Sequence, residues 1–119
     1  MKVTAVTWGS DMALLVNACK ELGIELNVWS THDVEDEEKR KECIKSFAQA
    51  DIVLLHPSNE EYWDEIIGGL NKGVPTIPFG HDSSFWSLSN VSLEVVATVN
   101  AYHVYGGAEN ITNMLRYIG

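Results

Sequence analysis

The chain has 119 residues, of which 45% are hydrophobic and 21% charged, a balance that builds one buried core and excludes a disordered or two-domain polypeptide. Acidic side chains outnumber basic ones 17 to 8, and the resulting net charge of −9 repels a phosphate backbone, which excludes nucleic acid as a partner. No apolar run approaches the length of a membrane span, and the first ten residues are too interrupted for a signal peptide, so the expected compartment is cytoplasmic.

Residues 2–8 alternate and end in Gly9-Ser10-Asp11, which predicts a strand running into a helix. In that helix Met12, Leu15, Val16, Cys19 and Leu22 recur at the spacing of one buried face, Ser10 or Asp11 can cap the start, and Gly23 is the stop. A second strand is expected over 24–29, followed by a polar turn, Ser30-Thr31-His32-Asp33. The charge run over 35–45 is acidic first and basic last, the order that suits a helix dipole. Glu35 with Lys39 and Glu37 with Lys41 are i, i+4 pairs, and Ile44, Phe47 and Ala48 form the inward stripe, so the run reads as a solvated helix face.

Residues 51–55 form a continuous apolar run, the pattern of a central parallel strand covered on both faces. Ser58 with Glu61 has the spacing of a capping box, after which Trp63, Ile66, Ile67 and Leu70 make a helix face that ends at Gly73. A fourth strand is expected over 74–79, where Pro75 and Pro78 each remove a ladder donor and confine it to a short edge strand. Residues 91–105 fit both an alternating and a helical pattern, but Ser92 as cap, Glu94 behind it and Gly106-Gly107 as stop decide for a helix. A last helix over 108–118 turns Ile111, Met114, Leu115 and Ile118 inward.

Strands alternating with helices imply one α/β domain over 1–119 with a flavodoxin-like or Rossmann-like three-layer fold. Its four-stranded parallel sheet takes the order 2-1-3-4, with helices on both faces. The first and second helices then cover opposite faces. Two layers of about 10 Å separate Cys19 from Cys43, so they are expected to be free buried thiols.

In such a sheet, ligands bind outside the carboxyl ends of the strands where the strand order reverses, here between the first and third strands. Ser10, His56, Ser58, His81 and Asp82 are the ligand-binding candidates on that edge, and Trp8 and Trp86, with Phe85 nearby, form a candidate flat apolar wall. His56 and His81 are the candidate metal ligands, with Asp82 placed to orient a neighbour. The same polar residues also serve as helix caps and loop hydrogen bonds, and aromatics often close the end of a core. No spaced-glycine fingerprint, phospho-receiver acid pair or Ser-His-Asp order occurs, and no residue is assigned as catalytic.

The segment from Ala50-Asp51-Ile52-Val53-Leu54-Leu55 to His56-Pro57-Ser58, then Trp63, Gly80-His81-Asp82, Tyr102, and Tyr105-Gly106-Gly107-Ala108-Glu109-Asn110 leading into Met114-Leu115-Arg116-Tyr117, resembles a known family. These are the large subunits of ATP-dependent metal chelatases that insert cobalt into corrinoids or magnesium into protoporphyrin. The chain looks most like the N-terminal domain of the cobalt-type (CobN-like) cobaltochelatase subunit, and the Tyr-Gly-Gly-x-Glu-Asn segment is the most specific part. The resemblance implies a cytoplasmic subunit of cobalamin or related tetrapyrrole biosynthesis. It would hold a tetrapyrrole and a divalent metal, cobalt or magnesium, as substrates, while AAA+ partner subunits hydrolyse ATP. Family members are far longer, so it also implies an N-terminal fragment that is inactive alone as a ligase. The alternative is a stand-alone flavodoxin-like ligand-binding or protein-interaction module with no catalytic activity.

Overall fold

Parallel strands align their carboxyl ends, and the computed structural model, which describes residues 1–80 and 83–119, joins four of them in the order β2-β1-β3-β4. They are β1 (Lys2–Thr7), β2 (Glu25–Ser30), β3 (Ile52–Leu55) and β4 (Thr76–Pro78). Val6 lies opposite both Trp29 and Leu55, and Leu55 lies opposite Pro78, so the strands finish in one row. The apolar run of β3 is buried throughout, as a central strand requires. At the edge, Pro75 accepts from Val53 N at 2.9 Å and Pro78 accepts from Asn100 Nδ2 at 3.0 Å, so both prolines serve through carbonyls that need no N–H.

The two-residue period of the strands sorts the core into two layers. Val3, Ala5, Ile52, Leu54, Ile77 and Phe79 pack with α1 (Gly9–Leu22), α5 (Leu93–Tyr105) and α6 (Gly107–Ile118). On the other side Val6, Val53 and Leu55 pack with α2 (Thr31–Glu35), α3 (Glu37–Ser46) and α4 (Trp63–Gly68). Cys19 and Cys43 fall in different layers, both free and buried, as expected. Loss of hydration raises the Cys19 thiol to about 11 and the Cys43 thiol to about 12.

Several local details differ from the sequence expectations. Trp8, not Ser10 or Asp11, is the N-cap of α1 and makes no side-chain capping bond; Asp11 therefore sits inside the first turn. Ala18 takes the inward place expected of Val16, which is 42% exposed, because 15, 18, 19 and 22 trace a tighter stripe. The expected turn over 30–33 is the start of α2. Ser30 Oγ accepts from Asp33 N at 2.9 Å while Asp33 Oδ2 accepts from Ser30 N at 3.0 Å, a reciprocal cap that nucleates the helix.

Asp36 then restarts the chain as α3 by accepting from Lys39 N at 3.0 Å. Lys41 pairs with Glu37 at 3.5 Å as expected, but Lys39 reaches Asp33 at 3.9 Å, and Glu35 instead meets His32 at 3.5 Å. Cys43 and Phe47 point inward, whereas Ala48 is exposed. Ser58 does not cap α4. Its Oγ accepts from Glu60 N at 3.3 Å, two residues on, and the helix begins only at Trp63. It stops at Gly69, where a Cβ would overlap the Ile44 side chain, and not at Gly73.

The stretch left ambiguous by its period is helical: Ser92 Oγ accepts from Val95 N at 3.4 Å and Gly106, at φ 67°, ends α5. Its direction matters for the site. Asn90 accepts from Thr76 N at 2.7 Å and donates to Val74 O at 2.8 Å, which ties the start of α5 to the amino end of β4. Asn100 holds the other end of β4 through Pro78, so α5 climbs alongside the strands and its carboxyl end reaches their carboxyl edge.

Candidate functional site

Parity along β3 decides where the first polar residue after it points. Ile52 and Leu54 face α1 and α5, so His56, two residues on, faces them as well. Thr7 continues Val3 and Ala5 on β1 in the same way. The first turn of α1 supplies Asp11 and the last turn of α5 supplies His103. The sheet and two helices therefore bring four polar side chains together at the point where strand order reverses.

Asp11 Oδ2 is the hub. It lies 3.2 Å from His103 Nε2, 3.5 Å from His56 Nδ1 and 3.4 Å from Thr7 Oγ1, which donates to it. The side chains of His56 and His103 are 4% and 7% exposed and that of Asp11 17%, so the carboxylate is the part nearest solvent. Trp8 stacks on the His56 ring at 4.1 Å with 8° between planes, while Phe79 and His103 pack against His56 with centroids at 5.2 and 5.4 Å. These contacts hold the imidazole in one plane.

Two further residues set the heights of the histidines. Gly80, at φ 132°, lies so close to His56 that a Cβ would fall 2.7 Å from its Nε2; only glycine allows both this backbone and this approach. Buried Asn100 accepts from Gly80 N at 3.0 Å and donates to Pro78 O and Val96 O at 3.0 and 2.8 Å. It clamps α5 to the end of β4, one turn before His103.

Of the residues expected on this edge, the structure brings Trp8 and His56 into direct contact. Ser10 is exposed in the first turn of α1, and Ser58 is engaged in its own turn. Trp86 and Phe85 are half-buried in the 3-10 turn Ser83–Leu88 that follows β4. His81 and Asp82 lie outside the described residues. Asp11 and His103 were not among the sequence candidates; Asp11 reads in the sequence as a possible helix cap. The signal for Asp11 was present in the parity Ile52, Leu54, His56, which aims His56 at the helix following β1. Nothing local marks His103, because its place depends on the direction of α5.

Two imidazole nitrogens and a carboxylate oxygen can share protons or ligate a metal, and the imidazole N–H groups can donate to an anionic group. A separate acidic groove of about 620 Å³, lined by Glu35, Glu60, Glu61, Asp64 and Glu65 around Arg40 and Tyr62, lies on the α2–α4 side. No helix among the described residues is long and apolar enough to cross a membrane.

No protein-family model matches the sequence, and no curated protein matches it. Among solved structures the chain is similar to the catalytic subunit of cobaltochelatase from Mycobacterium tuberculosis, with a TM-score of 0.71 at 15% sequence identity. The match covers 98% of this chain and 10% of that one, so this chain spans about a tenth of the neighbour's length. At that identity the likeness establishes a shared fold.

Proposed function

We propose that this chain is a tetrapyrrole-handling domain of the kind found at the N-terminus of a cobalt-type metal chelatase large subunit, with the β1/β3 edge contributing to the surface that holds the macrocycle. The observation that carries the reading is the fold likeness to a cobaltochelatase catalytic subunit over 98% of the chain, in line with the family resemblance of the strand-end and Tyr105–Asn110 segments. Trp8 adds a local reason: it is 44% exposed while stacked on His56, so it offers a flat apolar surface backed by a fixed ring. In this reading cobalt or magnesium is substrate, ATP hydrolysis belongs to AAA+ partner subunits, and the chain contributes binding rather than ligation. Ser10, Ser58 and Trp86, with His81 and Asp82, belong to the proposed ligand-binding edge.

Titration of the metal-free chain with a corrinoid and with a porphyrin tests this. Tryptophan emission should be quenched, and Trp8→Leu should weaken binding about tenfold, the loss of one aromatic contact. Absence of quenching and of any shift in the macrocycle's absorption would remove tetrapyrrole binding and leave a protein-interaction module.

A further inference from the structure

Three donor side chains from separate elements converge in this fold without any single sequence motif joining them. One ligand atom from each of Asp11, His56 and His103 lies within 4.8 Å of the others. The two distances from Asp11 Oδ2, 3.2 Å to His103 Nε2 and 3.5 Å to His56 Nδ1, can be compared with the demands of an ion. A divalent metal bound at about 2.0–2.2 Å by nitrogen and oxygen holds neighbouring tetrahedral ligands roughly 3.3–3.5 Å apart. Two edges lie at or within about 0.1 Å of that range, and closing the third takes side-chain movement on the order of 1 Å.

We propose that Asp11, His56 and His103 form a binding site for a first-row divalent transition metal, of the zinc or cobalt(II) type. Two imidazoles select this class over magnesium and calcium, which prefer an all-oxygen set. The electrostatics favour a cation. The chain carries a net charge of −9, and His103 stands in the last turn of α5, where the helix dipole is negative. Asp11, in the first turn of α1, supplies the carboxylate of the set.

The supporting shell is also built. Thr7 Oγ1 donates to Asp11 at 3.4 Å, Trp8 covers one face of His56, and Asn100 anchors the turn of α5 that precedes His103. On binding, His56 Nδ1 and His103 Nε2 turn lone pairs toward the ion, so each neutral ring keeps its proton on the opposite nitrogen. Three protein ligands leave a further position to solvent or to a bound substrate. The site adjoins the proposed macrocycle surface but rests on its own geometry.

Cobalt(II) titration of the 119-residue chain, followed in the visible region, is the direct test. The expected result is one equivalent bound with ligand-field bands of a four- or five-coordinate ion, displaced by zinc and unaffected by excess magnesium. Asp11→Asn, close to isosteric, and His103→Ala should each weaken binding by more than about 100-fold, beyond what loss of an outer-shell partner costs. Thr7→Val should weaken it by about tenfold. His32→Ala, at an exposed histidine away from the cluster, should leave affinity unchanged. A folded wild-type chain with no cobalt bands would overturn the proposal, as would wild-type affinity in both Asp11→Asn and His103→Ala. Macrocycle quenching without cobalt binding would end this inference and preserve the tetrapyrrole reading; cobalt binding without quenching would do the reverse.

Discussion

On the side of the sheet covered by α1, α5 and α6, helices of 14, 13 and 12 residues bury an apolar layer in which Leu15, Val99, Met114 and Leu115 are at most 1% exposed. On the opposite side, α2, α3 and α4 have 5, 10 and 6 residues and are tied together largely through polar groups. Arg40 is the main tie. It donates to Val34 O at 2.9 Å and to Glu65 at 3.0 Å, and its guanidinium lies 5.7 Å from the centre of the Tyr62 ring. Trp63 and Phe47 are the large apolar anchors of this side. The helices that deliver Asp11 and His103 both come from the long-helix side. The backbones that carry this cluster are thus held by the more deeply buried elements, and the shorter, charge-stitched side presents the acidic groove.

The largest expected effect removes the main anchor of the weaker side. Trp63, 1% exposed, should cost about 3–5 kcal/mol as Trp63→Ala in urea denaturation, because neither Phe47 nor Ile66 can fill the cavity. A cost under about 1 kcal/mol would mean that this layer collapses around the loss and is less distinct from its counterpart than its packing indicates.

The two cysteines allow the sides to be compared within one molecule, one thiol in each layer. Burial holds both thiols well above neutral pH, so neither reacts until its layer opens. In single-cysteine variants, Cys43 should be labelled by a thiol reagent about tenfold faster than Cys19, although it is at least as buried, because shorter helices open locally at lower free energy. Equal rates would show that the two layers open only together.

The smallest expected effect lies in the cap of α2. The N–H of Ser30 holds the Asp33 carboxyl below its ordinary value, with Lys39 adding to the effect. A depressed folded value means that this stabilisation is full above the ordinary carboxylate range and is lost as pH falls through the folded value. Asp33→Asn should therefore lower stability slightly at neutral pH and flatten the acid limb of the stability profile below about pH 4, leaving the limb above it parallel to wild type. An unchanged acid limb would remove Asp33 from the ties of that side.

Much of the fold was legible because it rests on local rules. The continuous run of β3, the prolines that shorten β4, Gly23 after α1 and Ser92 before α5 each act within a few residues of their own position, and each stands where its chemistry requires. Errors arose where a competing local partner was available. Ser58 bonds the turn rather than a helix end, Lys39 finds Asp33 before Glu35, and Ser30 with Asp33 starts a helix one turn early. Each is a choice between partners of similar energy that neighbouring packing decides.

The sequence by itself determined the four strands, their parallel order and the separation of the two cysteines, since period and turn chemistry are properties of short segments. It also marked His56 and Trp8. Only the tertiary structure decided that Asp11 and His103 stand beside them. The return of the chain to the amino end of β4 reverses the course of α5, and the Asn100 clamp then sets how high its last turn climbs. Such long-range contacts leave no period or spacing in the chain, because the two residues they bring together lie 92 positions apart.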